Sequence, residues 1–204
     1  RDDGGVPSGV ETTTHPEGWE LGPAEDTMTT WYAFAPSYQA SYRYAGAAAK
    51  LARALNDWDQ GLARTFLGSA NDAWDWAEAN RPEEDDNHWD AHAAAELFKT
   101  TGQSGFNSAF IEYMPFEDDD LVFSIARYEP DVLIPSMLAY ATADNASAAH
   151  KDAIISILTN RALYWLEAAG GTGYRVVKHP YAPVTTGSYS TPKYSAWLFR
   201  LYEL

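Results

Sequence analysis

From Ser37 onward, apolar and small residues return every three or four positions, and that period predicts helices. Tyr38, Tyr42, Ala45, Ala49, Ala52 and Leu55 fall on one stripe. Ser37 follows Pro36 and is placed to cap the stripe's N-terminus, and Asn56-Asp57 end it. The small residues on this helix leave room for a close neighbour. A second stripe, Phe66, Ala70, Ala73, Trp74 and Ala77, predicts a helix over about 60–80. A third helix is predicted from His88 to Thr101, with Ala91, Ala94, Ala95, Leu97 and Phe98 facing inward and Gly102 as its C-cap. Phe106 to Tyr113 reads as a short fourth. Val132 to Thr142 and Ser147 to Ala169 follow, the last with Ile154, Leu158, Leu163 and Leu166 inward. The segment from Leu121 to Tyr128 fits strand or helix.

The remainder lacks a sustained period. Residues 1–36 hold glycines, prolines, three consecutive threonines and scattered rings, and read as an irregular loop. Residues 170–192 read the same way, and Lys193 to Leu204 starts a last helix. Strand signals are nearly absent. Helices joined by alternating short and long connections predict an all-α fold with antiparallel neighbours.

Composition narrows the functional classes. The 204 residues are 46% hydrophobic and 14% aromatic, enough for a real core. There are 29 acidic residues against 14 basic, a formal net charge of −15. That field repels nucleic acid and anionic membranes, and suits a neutral ligand or a cation. Cysteine is absent, which excludes disulfides and thiol catalysis. No apolar run reaches the roughly 18 residues of a membrane span, and no signal peptide is recognisable. The chain opens on Arg1-Asp2-Asp3 without Met, so it is expected to be processed, trimmed or cut from a longer one.

Candidate chemistry gathers in the two long loops. His15, Trp19, Glu20, Glu25, Asp26, Trp31 and Tyr32 lie in the first; His179, Tyr181 and Tyr189 lie in the second. Flat rings stack on the C–H faces of a pyranose, and carboxylates accept its hydroxyls. Trp19, Trp31 and Tyr32 fit either sugar platforms or core rings that cover helix ends. His15 and His179 each precede proline, and fit either a hydrogen bond to a sugar hydroxyl or a capped loop. Trp74 lies on the core stripe and Trp76 faces another side. His88-x-Asp90-x-His92 places two histidines four apart, but position 89 is Trp where a zinc protease needs Glu. The acidic runs Glu83–Asp86 and Glu117–Asp120 have oxygen ligands for calcium without the glycine-punctuated EF-hand pattern, and read as solvated connectors. Neither a metal site nor a catalytic residue is assigned. One in-chain alternative pairs Glu25 or Asp26 with Glu129 or Asp131 across a cleft.

Five segments in this order carry a family resemblance: DGGVPSGVETTTHPE, SYRYAGAAAKLARAL, AWDWAEAN, AAAELFKTTG and GYRVVKHPYAPVTTGSYSTPKYSAWLFRLYEL. Together they resemble the middle of glycoside hydrolase family 9, in the bacterial variety with an immunoglobulin-like domain before the catalytic barrel. The resemblance implies an (α/α)6 barrel of which 1–204 is one part: loop 1–36, helical hairpins 37–169, loop 170–192 and helix 193–204. It implies inverting cleavage of β-1,4-glucan or related β-linked sugars, and loops that line the substrate cleft. His15, Trp19, Trp31, Tyr32, His179, Tyr181 and Tyr189 are the substrate-binding residues it points to. Thr186-Gly187-Ser188 stands where the family often has Trp before Gly-Ser, a departure that Tyr189 or Tyr181 would have to make good. The family's paired aspartates are expected before residue 1 and its acid glutamate after residue 204. No cofactor is required, and the resemblance allows structural calcium near an acidic loop. The implied partners are a carbohydrate substrate and the remaining segments of the same catalytic domain, with no nucleic acid and no membrane. The implied location is secreted or periplasmic.

Two rivals stand beside this reading. A non-catalytic helical carbohydrate-binding or scaffold module would close its own core and bind glycan without turnover. A polysaccharide lyase on another (α/α) barrel would need cations to neutralise a uronate, which the −15 charge opposes.

Overall fold

The computed structural model describes residues 3–12, 30–83, 88–116, 130–170 and 200. Six helices and one two-stranded ribbon lie among them, in two compact units, Arg1–Asp86 and Asn87–Leu204. The all-α class holds.

In the first unit, α1 (Tyr38–Leu55) and α2 (Gln60–Asn80) form a hairpin. Ser37 caps α1: its Oγ accepts from the Ala40 N–H at 3.1 Å. Asp59 caps α2 in the same way through Leu62 N at 2.9 Å. Each cap satisfies one of the donors that a helix start leaves without an internal partner. Tyr42, Ala45, Ala49 and Ala52 of α1 are buried, as are Ala63, Ala70, Ala73, Trp74 and Ala77 of α2. Alanine keeps both helices slim and lets the backbones approach. Tyr38 and Leu55 at the ends of the stripe, and Phe66 of α2, are only half-buried. The pairing is antiparallel: Tyr42 meets Trp74 and Glu78, whereas Tyr44 meets Ser69. The Tyr42 and Trp74 rings meet edge-on with centroids 5.5 Å apart, a geometry that favours aromatic pairs.

The first 36 residues depart from the sequence reading. They include β1 (Val10–Thr12) and β2 (Trp31–Ala33), paired antiparallel. Pattern reading misses them because each is three residues long and the partners are far apart in sequence. The Gly-Gly pair before them is required by packing. Gly4 has φ +79°, and a Cβ there would come 2.3 Å from the carbonyl oxygen of Asp72. A Cβ on Gly5 would enter the Trp76 ring at 2.8 Å. The segment therefore lies flat on α2. Val6 fastens it to α1, with its N–H donating to Ser41 Oγ at 3.0 Å and its carbonyl accepting from Ser37 N at 3.1 Å.

In the second unit, α3 (Trp89–Thr101), α4 (Ser104–Tyr113), α5 (Pro130–Ala141) and α6 (Ala148–Gly170) follow one another. The α3 helix starts one residue later than expected, because His88 adopts a left-handed φ of 55° and sits at its N-cap. Gly102 ends it with φ 68° and donates its N–H to Phe98 O at 2.7 Å, the expected C-cap. Ala91, Ala94, Ala95, Leu97 and Phe98 are buried as predicted, and α4 and α5 pack on α3. Rings from three helices stack at the centre. Phe98 and Tyr140 lie 5.5 Å apart and Tyr140 and Phe110 4.3 Å apart, with Phe116 edge-on to Phe110 at 5.8 Å. The Tyr140 hydroxyl donates to Asn107 Oδ1 at 2.8 Å. Burial raises its pKa, and the Ser147 N–H opposes that shift.

One expectation is corrected here. Ile154 and Leu158 point inward, but Leu163 and Leu166 are exposed. At about 1.5 Å per residue, the 12 residues of α5 span only about half the length of the 23-residue α6. Among the described side chains of α6, the buried ones, Ile154, Ile157 and Leu158, fall in its first half.

Candidate functional site

The ribbon of the first unit is where candidate residues and described geometry coincide. Its register is Val10 opposite Ala33, Glu11 opposite Tyr32 and Thr12 opposite Trp31. The same register continues toward the helices: Phe34 N donates to Gly9 O at 2.9 Å, and Pro7 bridges Pro36. Side chains alternate across a strand, and directly opposed residues share a face. One face therefore carries Glu11, Tyr32, Gly9 and Phe34. By the same register the other carries Val10, Ala33, Thr12 and Trp31. Trp31 is 44% exposed, Tyr32 56% and Phe34 46%. Burying such rings in water-free contact is favourable by roughly 25 cal/mol per Å² of apolar surface.

The base of the ribbon is anchored: Gly4 and Gly5 lie on α2, and Val6 is hydrogen-bonded to Ser37 and Ser41 at the start of α1. Behind it, Tyr42 donates its hydroxyl to Glu78 Oε1 at 2.7 Å, and Arg81 Nη1 lies 3.9 Å from the same carboxylate oxygen. Burial pushes the Tyr42 pKa well above its ordinary 10.0, and Glu78 adds to the rise through its hydrogen bond and its charge; Arg81 opposes it. This phenol stays protonated and serves as a donor that holds α1 to α2.

Trp31 and Tyr32 are thus brought together on adjacent ribbon positions, but on opposite faces. His15, Trp19, His179, Tyr181 and Tyr189 lie outside the described residues, as do Glu25, Asp26 and Glu129 and the side chain of Asp131. His15 and Trp19 belong to the chain that links β1 to β2. Sequence reading missed Glu11 and Phe34. The signal was the alternation Val10-Glu11-Thr12 against Trp31-Tyr32-Ala33, too short to stand out by itself.

The His88, Asp90 and His92 set forms no metal centre. Among the described residues, no group of three or more His, Asp or Glu side chains is arranged to hold a metal ion. His88 precedes the helix, and His92 Nδ1 lies 3.4 Å from Ser136 Oγ with its ring edge-on to Trp89. Asp90 is buried at the first turn of α3, where its Oδ1 accepts from the Ala91 N–H at 2.6 Å. A carboxylate there also complements the helix dipole. The acidic runs Glu83–Asp86 and Glu117–Asp120, read as solvated connectors, fall almost wholly outside the described residues.

Among the described residues no helix is long and apolar enough to cross a membrane. No protein-family model matches the chain, and no curated protein matches it. Solved structures do. The glycoside hydrolase family 9 endoglucanase J30 is 26% identical with a TM-score of 0.81, covering 98% of this chain and 39% of that one. A metagenome-derived family 9 endoglucanase is 19% identical with a TM-score of 0.80, covering 100% of this chain and 39% of that one. AaCel9A in complex with cellobiose-like isofagomine is 16% identical with a TM-score of 0.82, covering 99% and 40%. The chain thus spans about two fifths of the length of these structures. Over that span it is similar to family 9 endoglucanases, with the all-α fold of helical hairpins that form part of an (α/α)6 barrel, as the sequence resemblance implied.

Proposed function

We propose that this chain is a part of the catalytic domain of an inverting glycoside hydrolase acting on β-1,4-linked glucan, and that it supplies cleft walls. The observation that carries the proposal is the structural likeness to the J30 endoglucanase, with a TM-score of 0.81 over 98% of the chain at 26% identity. Its exposed ribbon rings and its acidic charge fit a neutral polysaccharide better than any polyanion. The exposed leucines of α6 fit a helical layer whose neighbours belong to other segments of the same domain.

In such a reaction one carboxylate activates water, and a carboxylic acid roughly 6.5–9.5 Å away protonates the leaving oxygen. No residue of this chain is assigned either role. Its own contribution is to orient the sugar: Trp31 or Tyr32 would stack on a pyranose, with His15, Trp19, His179, Tyr181 and Tyr189 as further contacts. Hydrolysis of this kind needs no cofactor, and calcium at an acidic connector would be structural. A polymeric substrate implies action outside the cytoplasm, secreted or periplasmic.

The test is to incubate the whole enzyme to which this chain is proposed to belong with cello-oligosaccharides and follow the anomeric protons of the products by NMR. Release of α-configured products from β-linked substrate is the expected result. Retention would overturn the inverting mechanism, and binding without turnover would favour a carbohydrate-binding module.

A further inference from the structure

We infer that the Tyr32 face of the ribbon, with Phe34 and Glu11, is the sugar-binding face, and that Trp31 on the opposite face is not part of it. The inference rests on the carbohydrate reading above and goes beyond it by choosing between two candidate rings and adding two residues.

Three features separate the faces. First, Tyr32 and Phe34 are two residues apart on one strand, so their rings follow each other at about 7 Å along it. Two exposed rings in line present a shelf to two successive units of a sugar chain, whereas Trp31 has only Ala33 beside it on its strand. Second, Gly9 lies directly opposite Phe34. A Cβ at Gly9 would come 3.3 Å from Phe34 Cδ2, so the ring lies across a position that carries no side chain. The shelf stays flat there. Third, Glu11 is opposite Tyr32 on the same face and is exposed. A carboxylate beside a ring accepts the equatorial hydroxyls of a pyranose whose C–H face is stacked. On the other face, Val10 lies opposite Ala33, and the residue opposite Trp31 is Thr12, which brings no carboxylate. The face carries one negative charge within a chain of net charge −15, so the occupant is a neutral β-linked glucan rather than a uronic-acid polymer or a phosphate-bearing one.

The test uses a thio-linked cello-oligosaccharide, which resists hydrolysis, titrated calorimetrically into the full chain and four variants. Tyr32→Ala and Phe34→Ala are each expected to weaken binding by about tenfold, the equivalent of one good contact. Glu11→Gln, which keeps shape and removes charge, is expected to weaken it by a smaller factor. Trp31→Ala is expected to stay within about twofold of the parent. Circular dichroism melts check that each variant is folded, and the near-isosteric Glu11→Gln keeps the test decisive should a ring variant lose structure. Loss of affinity in Trp31→Ala with Tyr32→Ala and Phe34→Ala intact would overturn the inference. So would unchanged binding in all four, which would leave the hydrolase reading standing. A parent chain that neither binds nor cleaves cello-oligosaccharides would sink the carbohydrate reading itself.

Discussion

Tyr32 and Tyr42 are ten positions apart, and the molecule uses them in opposite ways. Tyr42 is 0% exposed, with its ring against Trp74 and its hydroxyl on Glu78. Tyr32 is 56% exposed on a ribbon with no helix over its face among the described contacts. Nothing in the residue type separates them. The backbone does: α1 presents Tyr42 to a second helix, while the two-stranded ribbon leaves Tyr32 more than half exposed. A ring on the hairpin therefore contributes to stability, and a ring on the ribbon is left exposed.

The sharpest way to break this contrast is to delete the two rings in turn. Tyr42→Ala is expected to destabilise the fold by about 3–5 kcal/mol, the range for large buried rings, read as a shift in the urea midpoint. Next in size, Gly4→Ala forces a Cβ onto the Asp72 carbonyl at a positive φ. It should cost more than about 1 kcal/mol and loosen the ribbon's base, visible as faster amide exchange at Val6 and Phe34. Ser37→Ala removes the cap of α1 and should cost about 1 kcal/mol. Tyr32→Ala is expected to change stability by less than about 0.5 kcal/mol while it weakens glucan binding. Equal losses of stability at positions 32 and 42 would dissolve the contrast.

A pH series sharpens it further. The folded-state pKa of Tyr42 is raised by burial and then by Glu78. The unfolded chain releases this proton near pH 10, whereas the folded chain keeps it. Above that pH the folded state binds more protons, so stability is full below about pH 10 and falls as pH rises further. Tyr140, also raised by burial, acts in the same direction. Chemical denaturation at about pH 8 and about pH 11 should show the decline, and Tyr42→Phe should make it shallower.

The helices were largely legible in the sequence because their signals are local. Ser37, Gly102 and the alanine stripes each act within a turn or two, and they mark α1 to α3 to within a residue. The ribbon was not legible. Its strands are three residues each, and pairing joins positions about twenty apart, so no short window holds both halves. The same reason hid Glu11 and Phe34, whose meaning depends on what lies across the ladder. Leu163 and Leu166 were misread for a related cause. Periodicity reports that a helix has an apolar side, but not how far along its neighbour reaches. Of the seven residues first proposed to touch sugar, the described structure locates Trp31 and Tyr32 and sets them on different faces.

The continuous register from Pro7–Pro36 to Thr12–Trp31 makes the parity of strand length a determinant of what the ribbon displays. An insertion of one residue between Pro36 and Tyr32 would carry Tyr32 to the Trp31 face and bring Trp31 to the shelf, because side chains alternate with a period of two. An insertion of two would keep each displaced ring on its own face and move it two ladder positions further from the helices. Ribbons of this kind can thus exchange or extend the rings that each face displays by changes of length alone, without substituting a single ring.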